Sequence, residues 1–124
     1  MTWYLRAARQ GHAKSMNVVG RFCEEGWEIE PDLTAAQRWY RRAAERGDFR
    51  AQFNLGTLLA KQDRIAEATD WLRAAVHGAT PDVVQLVAGT LLQSSEPAMR
   101  DVGYLALKRL AGHEGAGPAG TREQ

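Results

Sequence analysis

The segment WYLRAARQG at residues 3–11 returns as WYRRAAERG at residues 39–47, a spacing of 36 from Trp3 to Trp39, and a third copy, WLRAAVHG, begins at Trp71. A fixed period of this length is the signature of stacked helix-turn-helix units, each too small to bury its own apolar face without a neighbour. Between the copies a second element recurs: Ser15, Val19 and Gly20 return at Ala51, Leu55 and Gly56, and more loosely at Val84, Ala88 and Gly89. Two helices therefore alternate, a B helix that carries the tryptophan and an A helix that carries the glycine. The sequence opens on a B copy.

The spacing falls to 32 between Trp39 and Trp71. A deletion inside a helix would turn every later side chain by about 100° and destroy the buried face, whereas a shorter surface turn costs little. The linker GWEIEP at 26–31 has only KQD at 61–63 as its counterpart, so the shortening belongs there, and Ala75 and Val76 align with Ala43 and Ala44. Leu33, Ala36, Trp39, Tyr40, Ala43 and Ala44 form an apolar stripe at i, i+3, i+4 spacing, with Gln37, Arg38, Arg41, Arg42, Glu45 and Arg46 opposite, which predicts an amphipathic helix. Pro31 and Asp32 mark its start and Gly47 its end; Thr80 before Pro81 predicts a capped start for the third A helix. A last helix opens near Ser94–Pro97 and runs to about Ala111. The reading is one repeat domain over residues 1–111, followed by a Gly-rich, aperiodic and unstructured tail at 112–124.

The segments AQFNLGTLL at 51–59 and AEATDWLRAA at 66–75, with WYRRAAERG before them, resemble the Sel1-like repeat, a relative of the tetratricopeptide repeat. The match is good over about residues 3–78 and loose over 81–111, where Tyr104 stands in place of the expected tryptophan. The resemblance implies an all-α fold, a right-handed α-α superhelix (solenoid) of about three helix-turn-helix repeats starting on a B helix. It also implies a non-catalytic scaffold for a protein or peptide partner, with no cofactor and no metal. Some secreted members pin each helix pair with a disulfide, and the single Cys23 departs from that subgroup.

In such a stack the A helices generally line the concave side, the default binding surface. Projection at 100° per residue turns Ala51, Leu55, Leu58 and Leu59 inward and Arg50, Phe53, Thr57 and Ala60 outward. By correspondence Lys14, Asn17, Arg21 and Glu24 face outward on the first A helix, and Val83, Leu86, Thr90 and Gln93 on the third. The candidate partner-binding residues are Lys14, Asn17, Arg21, Arg50, Phe53, Thr57, Leu86 and Thr90. Phe53 and Leu86 either anchor an amphipathic segment, with Arg21 and Arg50 as polar clamps, or pack between adjacent A helices. For the interior, Gly20, Gly56 and Gly89 are expected where a B helix crosses, and the tryptophans are expected to fill the volume between layers, making Trp39→Ala cost about 3–5 kcal/mol.

Charge is balanced, 16 basic against 15 acidic residues, so no global field recruits nucleic acid or membrane. The local exception is Arg38, Arg42 and Arg46 at i, i+4, i+8, which is either a solvated face, with Glu45 beside Arg41, or an alternative nucleic-acid or regulatory docking stripe. His12, His77 and His113 lie near helix ends without ligand spacing, and Cys23 takes the place of the buried Leu59. Trp27, outside the repeat frame, either folds back over its helix pair or stands out as a contact aromatic. The start lacks the apolar run of a secretory signal, and no stretch approaches the roughly 20 apolar residues of a span. The expectation is a cytoplasmic protein; the excess of Arg over Lys hints at a GC-rich bacterial genome. The opening B helix leaves Trp3, Tyr4, Ala7 and Ala8 without a preceding A helix, so self-association through that end is a further expectation.

Overall fold

The computed structural model describes residues 2–27 and 30–122, with side chains described as far as residue 112. Seven helices and no strand occur among them: α1 Thr2–Arg9, α2 Ala13–Glu25, α3 Leu33–Glu45, α4 Phe49–Lys61, α5 Ile65–Gly78, α6 Pro81–Leu92 and α7 Pro97–Arg122. The odd-numbered helices are B helices and the even-numbered ones A helices. The tail expected at 112–124 falls almost wholly on residues 113–124, whose side chains lie outside the described residues.

The chain divides into two compact units, Met1–Gly78 and Ala79–Gln124. In the first, each helix packs on its neighbour in sequence from α1 to α5, and α2 also touches α4. This is the all-α solenoid arrangement that the period requires. Asp32 starts α3 by accepting from the Ala35 N–H at 3.0 Å, and Asp48 starts α4 by accepting from the Arg50 and Ala51 N–H groups at 2.9 and 3.1 Å. The long linker between α2 and α3 opens on Gly26 at φ 76°, a left-handed residue whose N–H closes the helix on the Phe22 carbonyl. Thr80 sits at the expected cap of α6, but its hydroxyl donates to the Asp82 carboxylate at 2.7 Å and makes no cap bond to the backbone.

Alanine dominates the core of the first unit. Ala8, Ala36, Ala43, Ala44, Ala51 and Ala68 are all buried, which lets helix axes approach closely around Met16, Val19, Leu55, Leu58 and Leu59. Ala75 and Val76 are buried as Ala43 and Ala44 are, in keeping with the alignment that placed the shortening in the turn. Gln52, also buried, is satisfied by donating from Nε2 to the Ala44 carbonyl at 3.1 Å.

The aromatic filling differs from expectation. The fully buried ring is Tyr40, while Trp39 and Trp71 are half-buried and Trp3 is 66% exposed. Adjacent residues on a helix point about 100° apart, and it is the second of each pair, Tyr40 or Leu72, that aims at the neighbouring glycine. A β-carbon on Gly20 would lie 2.6 Å from the Tyr40 ring, and one on Gly56 would lie 2.7 Å from Leu72 Cγ. Only glycine permits these crossings.

In the second unit α6 packs on α7. Gly89 is exposed with nothing within 4 Å of where its β-carbon would stand, so the crossing expected there is absent. The close approach is made by Gly103 of α7 instead, against Leu92 at 3.0 Å. Tyr104 and Leu105, which align with Trp39 and Tyr40, stay outside.

Candidate interaction surface

Lys14, Asn17 and Arg21 rise along α2, and Arg50, Phe53 and Thr57 along α4, in the unit where these two A helices touch. Lys14, Arg21 and Arg50 are exposed, and Phe53 and Thr57 are half-buried. Asn17 departs from its expected outward position. It is 8% exposed, and its Oδ1 accepts a hydrogen bond of 2.9 Å from Asn54 Nδ2, an amide bridge between α2 and α4. Thr57 turns its hydroxyl back onto the Asn54 carbonyl at 2.9 Å. Arg21 lies over the Trp27 ring at 5.4 Å and reaches Glu25 at 4.0 Å; Arg50 lies over Phe49 at 4.9 Å.

At the start of the two helices a cleft of about 260 Å³ is lined by Lys14, Arg46 and Arg50 together with Ala13, Gly47, Asp48 and Phe49. Asp48 is occupied as the cap of α4. The cleft therefore presents positive charge beside two helix N-termini.

Leu86 and Thr90 belong to α6 of the second unit. Leu86 is 68% exposed, and the Thr90 hydroxyl donates to the Leu86 carbonyl at 3.2 Å.

Asn54 is the residue that repeat correspondence missed. A frame of 36 sets Asn17 opposite Phe53, whereas the bridge joins residues 37 apart. A polar amide within an otherwise packed A helix was the available signal. Trp27 combines both expectations, folding edge-on against Phe22 at 5.4 Å while staying 46% exposed.

Arg38, Arg42 and Arg46 are all exposed, and Arg42 stacks on Trp39 at 5.1 Å. Arg41 pairs with Glu67 of α5 at 2.9 Å rather than with Glu45, because α5 brings a carboxylate against it that also holds Arg64 at 2.6 Å. That hydrogen bond from Arg41 keeps the Glu67 carboxyl below the usual carboxylate range.

His12 and Ser15 share a hydrogen bond of 2.6 Å, but Ser15 is buried, so the hydroxyl has no room to receive a substrate. Cys23 is buried, and desolvation pushes its thiol up, away from the nucleophilic thiolate. Among the described residues no three His, Cys, Asp or Glu side chains gather as a metal site requires, and no helix is long and apolar enough to cross a membrane.

The sequence model of the family described as Sel1 repeat matches residues 1–12 and 13–48, the second match covering one A helix and one B helix. The crystal structure of a Sel1 repeat protein from Oxalobacter formigenes superposes with a TM-score of 0.67 at 26% identity, over 87% of this chain and 48% of that one. The chain carries Sel1 repeats over residues 1–48 and is similar in fold to a Sel1 repeat protein. A chitin synthase regulator SKT5 from Malassezia restricta is 50% identical to the Sel1-like chain over 56 residues, 45% of its length and 4% of the regulator's. The Sel1-like chain thus spans less than half of either relative. Sel1 repeat proteins are generally protein-interaction or regulatory adaptors, typically bind protein partners and are generally non-catalytic.

Proposed function

We propose that this protein is a non-catalytic adaptor that holds a peptide or helical segment of a partner protein along the α2/α4 face of its first unit. The observation that carries the reading is the Asn17–Asn54 bridge. It uses one acceptor and one donor, and so leaves the Asn17 NH₂ group and the Asn54 Oδ1 for the main chain of a ligand. Lys14 and Arg50, which have no carboxylate partner among the described residues, flank the bridge toward the basic cleft, and Phe53 offers a half-buried ring beside it. The composition of the strip suits a partner segment that is acidic at one end and apolar at the other. The name of the Malassezia relative, a regulator of another protein, is in keeping with such a role. A single buried cysteine fits a reducing, cytoplasmic setting.

The test is affinity capture from the source cell with the wild type beside Phe53→Ala and Arg50→Glu variants whose far-UV spectra match it. The captured protein is then titrated directly against each variant. Loss of at least tenfold in affinity with both supports the reading, and undiminished affinity with both refutes it. A parallel salt titration with DNA and RNA addresses Arg38, Arg42 and Arg46. Steeply salt-dependent binding abolished by replacing those arginines would instead favour the nucleic-acid role.

A further inference from the structure

Arg21 pairs with Glu25, Arg41 and Arg64 with Glu67, and Arg73 with Asp70. The cleft where α2 and α4 begin is built differently. Its three cations come from three elements: Lys14 from the first turn of α2, Arg46 from the end of α3 and Arg50 from the first turn of α4. None of the three pairs with a carboxylate among the described residues.

Two of these charges are nonetheless held in place. The Arg46 guanidinium rests over Gly11 in the turn before α2, 3.8 Å from where a β-carbon on that glycine would stand. Arg50 lies over the Phe49 ring at 4.9 Å. Both are positioned by surfaces that do not neutralise them. Such packing removes part of the side-chain freedom that a ligand would otherwise have to freeze, and it leaves guanidinium N–H groups for that ligand.

The one acid of the cleft, Asp48, is committed to the N–H groups of Arg50 and Ala51. Three cations against one carboxylate leave two positive charges. That balance suits a phosphate monoester, which carries about −1.5 to −2 at pH 7 and three terminal oxygens, one for each cation. A carboxylate brings one charge and two oxygens, and a nucleic-acid backbone one charge per phosphate. Asn17 lies three residues beyond Lys14 and Asn54 four beyond Arg50, so the amide bridge stands about one turn, roughly 5 Å, further along the same two helices. A phosphorylated side chain in the cleft therefore leaves its own main chain, or that of an adjacent residue, at the bridge.

We propose that the cleft receives a phosphorylated Ser or Thr of the partner segment, so that phosphorylation of the partner governs its docking. This role rests on the α2/α4 face being the partner's track, and it names the group that one end of the track recognises.

The experiment is an NMR titration of the full chain, isotopically labelled, with an acetylated and amidated pentapeptide of alanines carrying one central phosphoserine. The same peptide with serine or aspartate at its centre, inorganic phosphate and a single-stranded thymidine oligomer are titrated beside it. The phosphopeptide should bind about tenfold or more tightly than each of these and shift the amides of Ala13, Lys14, Gly47 and Arg50. Lys14→Ala and Arg46→Ala, both at exposed side chains, should each weaken it by about threefold to tenfold. Arg73→Ala, which removes the same charge elsewhere on the unit, should leave it unchanged; matching circular dichroism confirms that each variant folds. Asn54→Ala should weaken the phosphopeptide and leave inorganic phosphate unaffected. A phosphopeptide bound no more tightly than the aspartate peptide, or indifferent to Arg46→Ala, overturns the phosphate receptor and leaves the track standing. Inorganic phosphate bound as tightly as the phosphopeptide, with Asn54→Ala without effect, overturns the track and leaves the cleft to a free anion. Tighter binding of the thymidine oligomer overturns the proposal in favour of nucleic acid.

Discussion

Replacing glycine by alanine at Gly20 and at Gly89 makes the same chemical change in two helices and should move stability in opposite directions. At Gly20 the new β-carbon would sit 2.6 Å from Tyr40 Cδ1 and Cε1 and 3.3 Å from Cγ. Carbon atoms rest at about 3.5–4.0 Å, so the ring or its helix must retreat by roughly 1 Å. Tyr40 has nowhere to go, being fully buried with its hydroxyl held by Glu24. Overpacking of this kind costs about 1–3 kcal/mol, and stretching a hydrogen bond to a charged group puts at risk about 1.5–3 kcal/mol more. The gain in helix propensity recovers only about 1 kcal/mol. Gly20→Ala should therefore destabilise by roughly 1.5–5 kcal/mol, and Gly56→Ala, facing Leu72 at 2.7 Å with no hydrogen bond at stake, by roughly 0–2 kcal/mol. At Gly89 no atom stands within 4 Å, so the propensity term acts alone and Gly89→Ala should stabilise by about 0.5–1 kcal/mol. Urea unfolding at low protein concentration measures both. Trp3, Trp27, Trp39 and Trp71 all lie in the first unit, so fluorescence follows Gly20→Ala while far-UV circular dichroism also covers Gly89→Ala. A Gly20→Ala protein as stable as the wild type would refute the close approach of Tyr40. A destabilised Gly89→Ala protein would refute the open seat.

Tyr40→Phe should cost about 1.5–3 kcal/mol, read by urea unfolding, through loss of the bond to Glu24. Burial first, then Glu24, pushes the Tyr40 phenol far above its ordinary range; stability is therefore full below about pH 10 and falls above it, as the unfolded chain ionises first, and Tyr40→Phe should flatten that alkaline loss. Glu67, lowered by its hydrogen bond from Arg41, works in the opposite sense, supporting the fold above about pH 4.5 and losing that support as the pH falls. With both side chains about a third exposed the contribution is about 0.2–1 kcal/mol, and Glu67→Gln should remove it from an acid titration of stability. Trp39→Ala, at a half-buried ring covered by Arg42, should cost about 1–2 kcal/mol; a loss as large as that of Leu72→Ala, about 2–5 kcal/mol, would contradict its placement.

These contrasts show which parts of the fold a sequence can carry. The helices, their order and the site of the shortened turn follow from spacing alone, because Ala43, Ala44, Ala75 and Val76 must keep one face or lose burial. The choice between Trp39 and Tyr40 as the interior ring does not follow. Both lie within the width of an apolar stripe, and the residue that decides between them, Gly20, belongs to another helix. The Asn17–Asn54 bridge was hidden for a related reason. Correspondence between copies compares equivalent positions, while contact between neighbouring A helices joins staggered ones.

Gly89 takes this furthest. It matches Gly20 and Gly56 in the frame, so a reading of positions assigns it the same buried crossing, yet glycine is only half of that crossing. In α3 and α5 the other half is Tyr40 and Leu72; in the last pair α7 brings a glycine of its own, Gly103, to the closest approach, and α6 answers with Leu92. A small residue permits contact without supplying any, so the copy that lost its large partner keeps the seat and leaves it open.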